Sequence, residues 1–184
     1  SLEERLDKVR RRVEEEIKRL EDRLEELDRR VAETVKRLDD EARKLDEELR
    51  ERVKDIIRKK DKVDDARRML EEVIKRSEEL SKKAHDINKR VLDESKRLSD
   101  EVRKILEEVR ERVRELIERV KRITEEEKVK RVIEEMEEIV KEVRKRVDEV
   151  IKTSEEILRR VRELNKEILK ESEDLAEEVR KKAT

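Results

Sequence analysis

The sequence predicts an all-α fold: a straight, untwisted, antiparallel three-helix bundle running up, down and up, with helices of about 57–60 residues. Three observations predict it. The 184-residue chain contains no Gly, Pro, Cys, Phe, Tyr or Trp, and the Glu, Lys, Arg, Leu, Val and Ile that dominate it are tolerated or favoured in helices. Its apolar residues recur with an 18-residue period, and the phase of that period jumps twice.

With 60% charged and 32% apolar residues, composition alone would allow disorder. Periodicity decides for helix instead. The first stripe is Leu2, Leu6, Val9, Val13, Ile17, then Leu20, Leu24, Leu27, Val31, Val35, then Leu38, Ala42, Leu45, Leu49, Val53, with Ile56 opening a fourth cycle. Five apolar positions per 18 residues is one per 3.6, the repeat of an α-helix that does not supercoil. A left-handed coiled coil would keep a 7-residue period instead. The first helix, about residues 2–58, is therefore expected to be straight.

Continuing that stripe would require apolar residues at Lys60, Arg67 and Glu71. A new stripe opens instead at Val63, Ala66, Leu70 and Val73, rotated by about 80° at about 100° per residue. Asp61 with Asp64 reads as a cap with first-turn acids, and Arg58-Lys59-Lys60 places cations at the preceding helix end. The first turn is expected at 59–61. The second helix, about 62–123, continues through Ala84, Val91, Val102, Val109, Val113 and Val120 and fails after Ile123. Thr124 with Glu127 reads as a capping box, which puts the second turn at 123–125. The third helix, about 126–182, carries Val129, Val132, Met136, Ile139, Val143, Val147 and Val150 and runs on to Val179. Connections this short force antiparallel neighbours within one domain over 1–184. A single charged helix held by pairs such as Glu14–Lys18 gains only about 0.2–0.5 kcal/mol per pair and explains neither the stripes nor the jumps.

The three apolar faces differ. The first spans an arc of about 80°. The second is widened by Met69, Ile87, Ile105 and Ile123 on one flank and by Ile74 and Leu92 on the other. The third gains Ile133, Ile151 and Leu169 with Val140, Leu158 and Ala176. A narrow outer helix on two broader inner ones would leave apolar surface for a second copy or a fourth helix, so the bundle is read as a monomer or as the protomer of a homo-oligomer. Uneven sequence selection in a monomer is the alternative.

Polar residues interrupt the stripes. Ser77 and Ser95 stand at the centre of the second, Asn88 at the position of Leu70 and Leu106, and Ser81 and Ser99 at that of Val63 and Ile117. On the third, Ser154 and Ser172 replace the Met136 position and Asn165 that of Val129 and Val147. An apolar residue would gain roughly 2 kcal/mol at each site, and an unpaired buried polar group would lose about 1–3 kcal/mol. Folding the chain about residue 125 sets Ser77 against Ser172, Ser95 against Ser154, and Asn88 and His85 beside Asn165. Ser77, Ser81, His85, Asn88, Ser95, Ser99, Ser154, Asn165 and Ser172 are thus expected to form buried hydrogen-bonded layers that fix register. Thr34 and Thr153 read as solvated edge residues. His85 shares its angular position with Arg67, Arg103 and Lys121, at the margin of the face, where it either joins the network or meets water.

Taken together, the straight repeat, the Glu/Lys/Arg surface and the Ser/Asn/His layers resemble de novo designed α-helical bundles built parametrically around buried hydrogen-bond networks. The resemblance covers the whole chain, although many such bundles place Gly or Pro in their turns and this one does not. It implies a structural scaffold without natural substrate, cofactor, pathway or native compartment, expressed as a soluble cytoplasmic product and assembling with itself. A designed partner-binding or switching protein is the alternative. A natural spectrin-like rod fits less well, given the missing aromatics and the regular repeat. Charge is balanced, 55 Lys+Arg against 56 Asp+Glu, which gives no basic face for nucleic acid. No apolar run approaches the roughly 20 residues that span a bilayer. Without Cys there is no thiol chemistry, and around a lone His no ligand spacing for a metal. No catalytic, cofactor or small-molecule site is expected, because no cleft is predicted to hold one.

Overall fold

A computed structural model describes residues 1–59 and 64–183. It consists of α1 (Leu2–Lys59), α2 (Asp64–Lys121) and α3 (Glu126–Ala183), each of 58 residues. All three helix pairs are in contact and no strand is present among the described residues: the fold is an all-α three-helix bundle.

Contacts between side chains fix the directions. Ser99, Asn88 and Ser77 of α2 meet Asp28, Asp39 and Asp46 of α1 in turn, so one helix climbs as the other descends. Arg112 with Glu135 and Arg76 with Glu178 show the same for α2 and α3. Glu16 with Arg144 and Arg23 with Asp148 set α1 and α3 parallel.

The ends follow from local chemistry. Ser1 Oγ accepts the Glu4 amide at 3.3 Å, the N-cap arrangement that satisfies one of the orphan donors of a first turn. Arg58 and Lys59 lie in the last turn of α1, where cations offset the helix dipole. α1 is described as far as Lys59 and α2 from Asp64; the turn expected at 59–61, with its Asp61 cap, and the opening Val63 fall on residues outside the described ones, except Lys59, which is helical. At the second break α2 stops at Lys121, two residues before the expected end. Arg122 N and Ile123 N bond back three residues to Arg119 O and Val120 O, tightening the final turn and satisfying carbonyls that the helix leaves open. Val129 N donates to Glu125 O at 3.3 Å, so Glu125 and not Thr124 is the N-cap of α3. The expected T-x-x-E box is out of register by one residue: three positions after Glu125 stands Lys128, whose ammonium lies 3.5 Å from the Glu125 carboxylate.

Contacts divide the chain into two units, each taking a piece of every helix. The first comprises Ser1–Arg30 and Glu94–Glu155, the second Val31–Asp93 and Glu156–Thr184. The core of the first is a single apolar cluster from α1 (Val9, Val13, Ile17, Leu20, Leu24), α2 (Val102 to Val120) and α3 (Val129 to Val147). Among the described residues of the second are two smaller clusters, Leu49, Val53, Leu70, Val73, Leu175 and Val179, and Ala42, Ala84 and Ile168, with Val31, Val35, Leu38, Leu158 and Val161 also buried.

The wide flanks of α2 and α3 are largely used inside these units. Ile133 and Leu158 are buried, and Ile74, Ile87, Ile105, Val140, Ile151 and Leu169 are half-buried. Met69, Leu92 and Leu164 remain exposed.

Candidate functional site

The polar interruptions lie where α2 faces its neighbours. Ser77, Asn88, Ser95, Ser99, Ser154 and Asn165 are buried, each at most 3% exposed. Ser81 and Ser172 are half-buried and His85 is exposed. His85 therefore departs from the buried position expected of it. An imidazole at the margin of the face reaches water at little cost, whereas one turned inward would lose hydration.

In the second unit the two asparagines form a closed pair. Asn165 Nδ2 donates to Asn88 Oδ1 at 2.7 Å, and Asn88 Nδ2 donates back to Asn165 Oδ1 at 3.3 Å. Asn165 also donates to the Val161 carbonyl at 2.7 Å, and Asn88 to Asp39 Oδ1 at 2.8 Å. All four amide N–H groups have partners, so two residues that would each lose about 1–3 kcal/mol if left bare are satisfied only in this register. The other oxygen of Asp39 lies 3.4 Å from His85 Nδ1. The chain His85–Asp39–Asn88–Asn165 thus draws on α1, α2 and α3.

The serines take partners that the hairpin matching misses. Ser77 donates to Asp46 Oδ1 on α1 at 2.7 Å instead of meeting Ser172. Asp46 also accepts Arg50 Nε at 3.1 Å, and Arg50 reaches Glu78 of α2 at 2.7 Å. In the first unit Ser99 donates to Asp28 Oδ1, and Arg103 Nη2 approaches Asp28 Oδ2 at 2.6 Å. Ser95 Oγ is buried without a hydrogen bond, so no bond joins it to Ser154. The expected Ser95–Ser154 pair is absent with nothing in its place, whereas the Ser77–Ser172 pair is displaced for a physical reason. A hydroxyl gains more from a charged acceptor than from a second hydroxyl, and α1 supplies carboxylates beside its stripe. Thr34, expected in water, is buried at 8% exposure, while Thr153 is exposed and bonds back to Glu149 O at 2.9 Å.

A single motif emerges: a buried Ser or Asn of α2, an Asp of α1 and a basic side chain on the same Asp. Sequence reasoning found the first member and missed the second. Its signal was present, since Asp28, Asp39 and Asp46 each follow a stripe leucine, and Asp is a poorer helix former than the Glu used elsewhere.

No group of three or more His, Asp or Glu is placed to hold a metal ion among the described residues. Nor is any described helix long and apolar enough to cross a membrane. The chain matches no family model, no curated protein and no solved structure.

Proposed function

We propose that this chain is a de novo designed structural scaffold, without natural catalytic activity, whose buried polar groups select one helix register. The observation that carries this reading is the closed Asn88–Asn165 amide pair with its acceptor Asp39 on α1. Leucine occupies the matching positions at 70 and 106, so the helix would accept an apolar residue there and gain about 2 kcal/mol of burial. A polar pair in its place favours specificity over stability. Sliding α3 by one turn, about 5.4 Å, would break both bonds between the two amides, whereas a wholly apolar layer would slide with little loss.

The test is the double variant Asn88→Leu/Asn165→Leu. Its melting temperature should rise while spin-label distances between residues on α2 and α3 split into more than one population. Light scattering at several concentrations then shows whether the chain is a monomer or a homo-oligomer, and whether that state broadens with the register. A double variant that keeps a single distance and a single assembly size would remove the register argument.

A further inference from the structure

Within the second unit an open groove of about 470 Å³ lies between α1 and α2, and two donor atoms meet on its lining. His85 of α2 is exposed, with 65% of its side-chain surface free, and its Nδ1 stands 3.4 Å from Asp39 Oδ2 of α1. That separation is longer than the N···O distance of a hydrogen bond, about 2.7–3.2 Å. It matches the edge of a zinc tetrahedron instead. With Zn–N of about 2.0–2.1 Å and Zn–O of about 2.0–2.2 Å, a tetrahedral angle sets the two atoms about 3.4 Å apart. The right angle of an octahedral or square-planar site would set them about 2.9 Å apart. Asp39 is also held in place, because its other oxygen, Oδ1, accepts Asn88 Nδ2 at 2.8 Å. An outer hydrogen bond of this kind orients a ligating carboxylate. Spacing along the sequence does not reveal the pair, since its two members lie on different helices.

We propose that His85 and Asp39 form an open zinc site that braces α1 against α2, a property separate from the scaffold reading. Nδ1 of the neutral imidazole supplies one electron pair and Asp39 Oδ2 a second, and waters in the groove complete the tetrahedron. Two protein donors fall short of the three-residue clusters that are absent among the described residues. The ion is therefore exchangeable, unlike one in a closed structural site of four protein ligands. Cations along the groove do not oppose it strongly. Arg50 lies against Asp46 and Glu78, and Arg43 against Asp40. Lys82 is exposed, and its flexible stem lets the ammonium turn to solvent. The two donors meet only when α1 and α2 are both in place, so zinc binds the folded chain and stabilises it by mass action.

The probe is zinc chloride added to the full chain in a non-coordinating, mildly alkaline buffer. His85 is the only histidine, so one set of imidazole signals in nitrogen–proton NMR reports this site alone. The expected result is one zinc ion per chain in competition with an indicator dye, with a larger shift at Nδ1 than at Nε2. The melting temperature should rise with zinc concentration. His85→Ala should abolish all three effects. Asp39→Asn removes the anionic donor yet keeps an oxygen for Asn88, and should weaken binding roughly tenfold or more, at least the loss that an outer partner brings. Circular dichroism confirms that each variant keeps its helix content. Equal affinity in Asp39→Asn, or a shift centred on Nε2, would reduce the site to a surface imidazole and overturn the assignment. Zinc uptake retained in His85→Ala would overturn it as well, by placing the ion on scattered carboxylates.

Discussion

Ser95 and Asn165 are buried to nearly the same degree, 3% and 2% exposed, yet only the asparagine has its polar atoms satisfied. A buried hydroxyl that gives up water without a replacement bond lowers stability by about 1–3 kcal/mol. Ser95→Ala removes that penalty at almost constant volume, so we expect chemical denaturation to show the variant more stable by about 1 kcal/mol. Asn88→Leu acts in the opposite sense, because it strips Asn165 and Asp39 of their partner and leaves Asn165 buried. The expected loss is about 2–3 kcal/mol, and adding Asn165→Leu should recover it and leave the double variant more stable than the parent. Equal losses from the single and double variants would mean that the two amides do not act as a unit.

At the scale of the helices, phase carried most of the information. The breaks near 60 and 125 were legible because a helix cannot rotate its apolar stripe by about 80° without a break. Lengths followed from the same argument. The ends were less legible, since capping depends on one carbonyl: Glu125 O takes the first bond of α3, and Thr124 differs from it by one position. The partners of Ser77 and Ser99 were illegible to a matching of α2 with α3 alone, because the acceptors lie on α1 and carboxylates are common along its surface. Electrostatics between helices gives a further expectation. Glu16 is only 14% exposed at its side chain and accepts Arg144 Nε at 2.7 Å. That hydrogen bond is the main reason its carboxyl lies below the ordinary value of 4.5; the charges of Arg144, Arg19 and Arg23 act in the same direction and burial against it. A lowered folded value means stability present above pH 4.5 and lost as pH falls through that lowered value. Glu16→Gln should therefore flatten the acid limb of a stability–pH curve, while near neutral pH it lowers stability by up to about 1 kcal/mol. An unchanged acid limb would assign the acid sensitivity to other carboxylates.

At the scale of the whole chain, the two units differ in what they bury. The first holds one apolar cluster drawn from all three helices, with Leu24 and Met136 fully enclosed. The second encloses Thr34, Ser77 and both buried asparagines, Asn88 and Asn165, where the first encloses the smaller Ser95, Ser99 and Ser154; beside its two smaller apolar groups the second also buries Val31, Val35, Leu38, Leu158 and Val161. Hydrogen bonds in such layers contribute about 1 kcal/mol net each, less than the apolar side chains that could replace them. The units should therefore open at different free energies although every helix belongs to both. Hydrogen exchange read by mass spectrometry at rising urea should show residues 31–59 of α1 losing protection before residues 2–30, and residues 64–93 of α2 before residues 94–121. In Asn88→Leu/Asn165→Leu the gap should narrow, because the exchange of a polar pair for apolar contact strengthens only the second unit. Simultaneous loss of protection along the full length of each helix would instead show one cooperative transition, and the polar layers would then have no bearing on where the chain opens first.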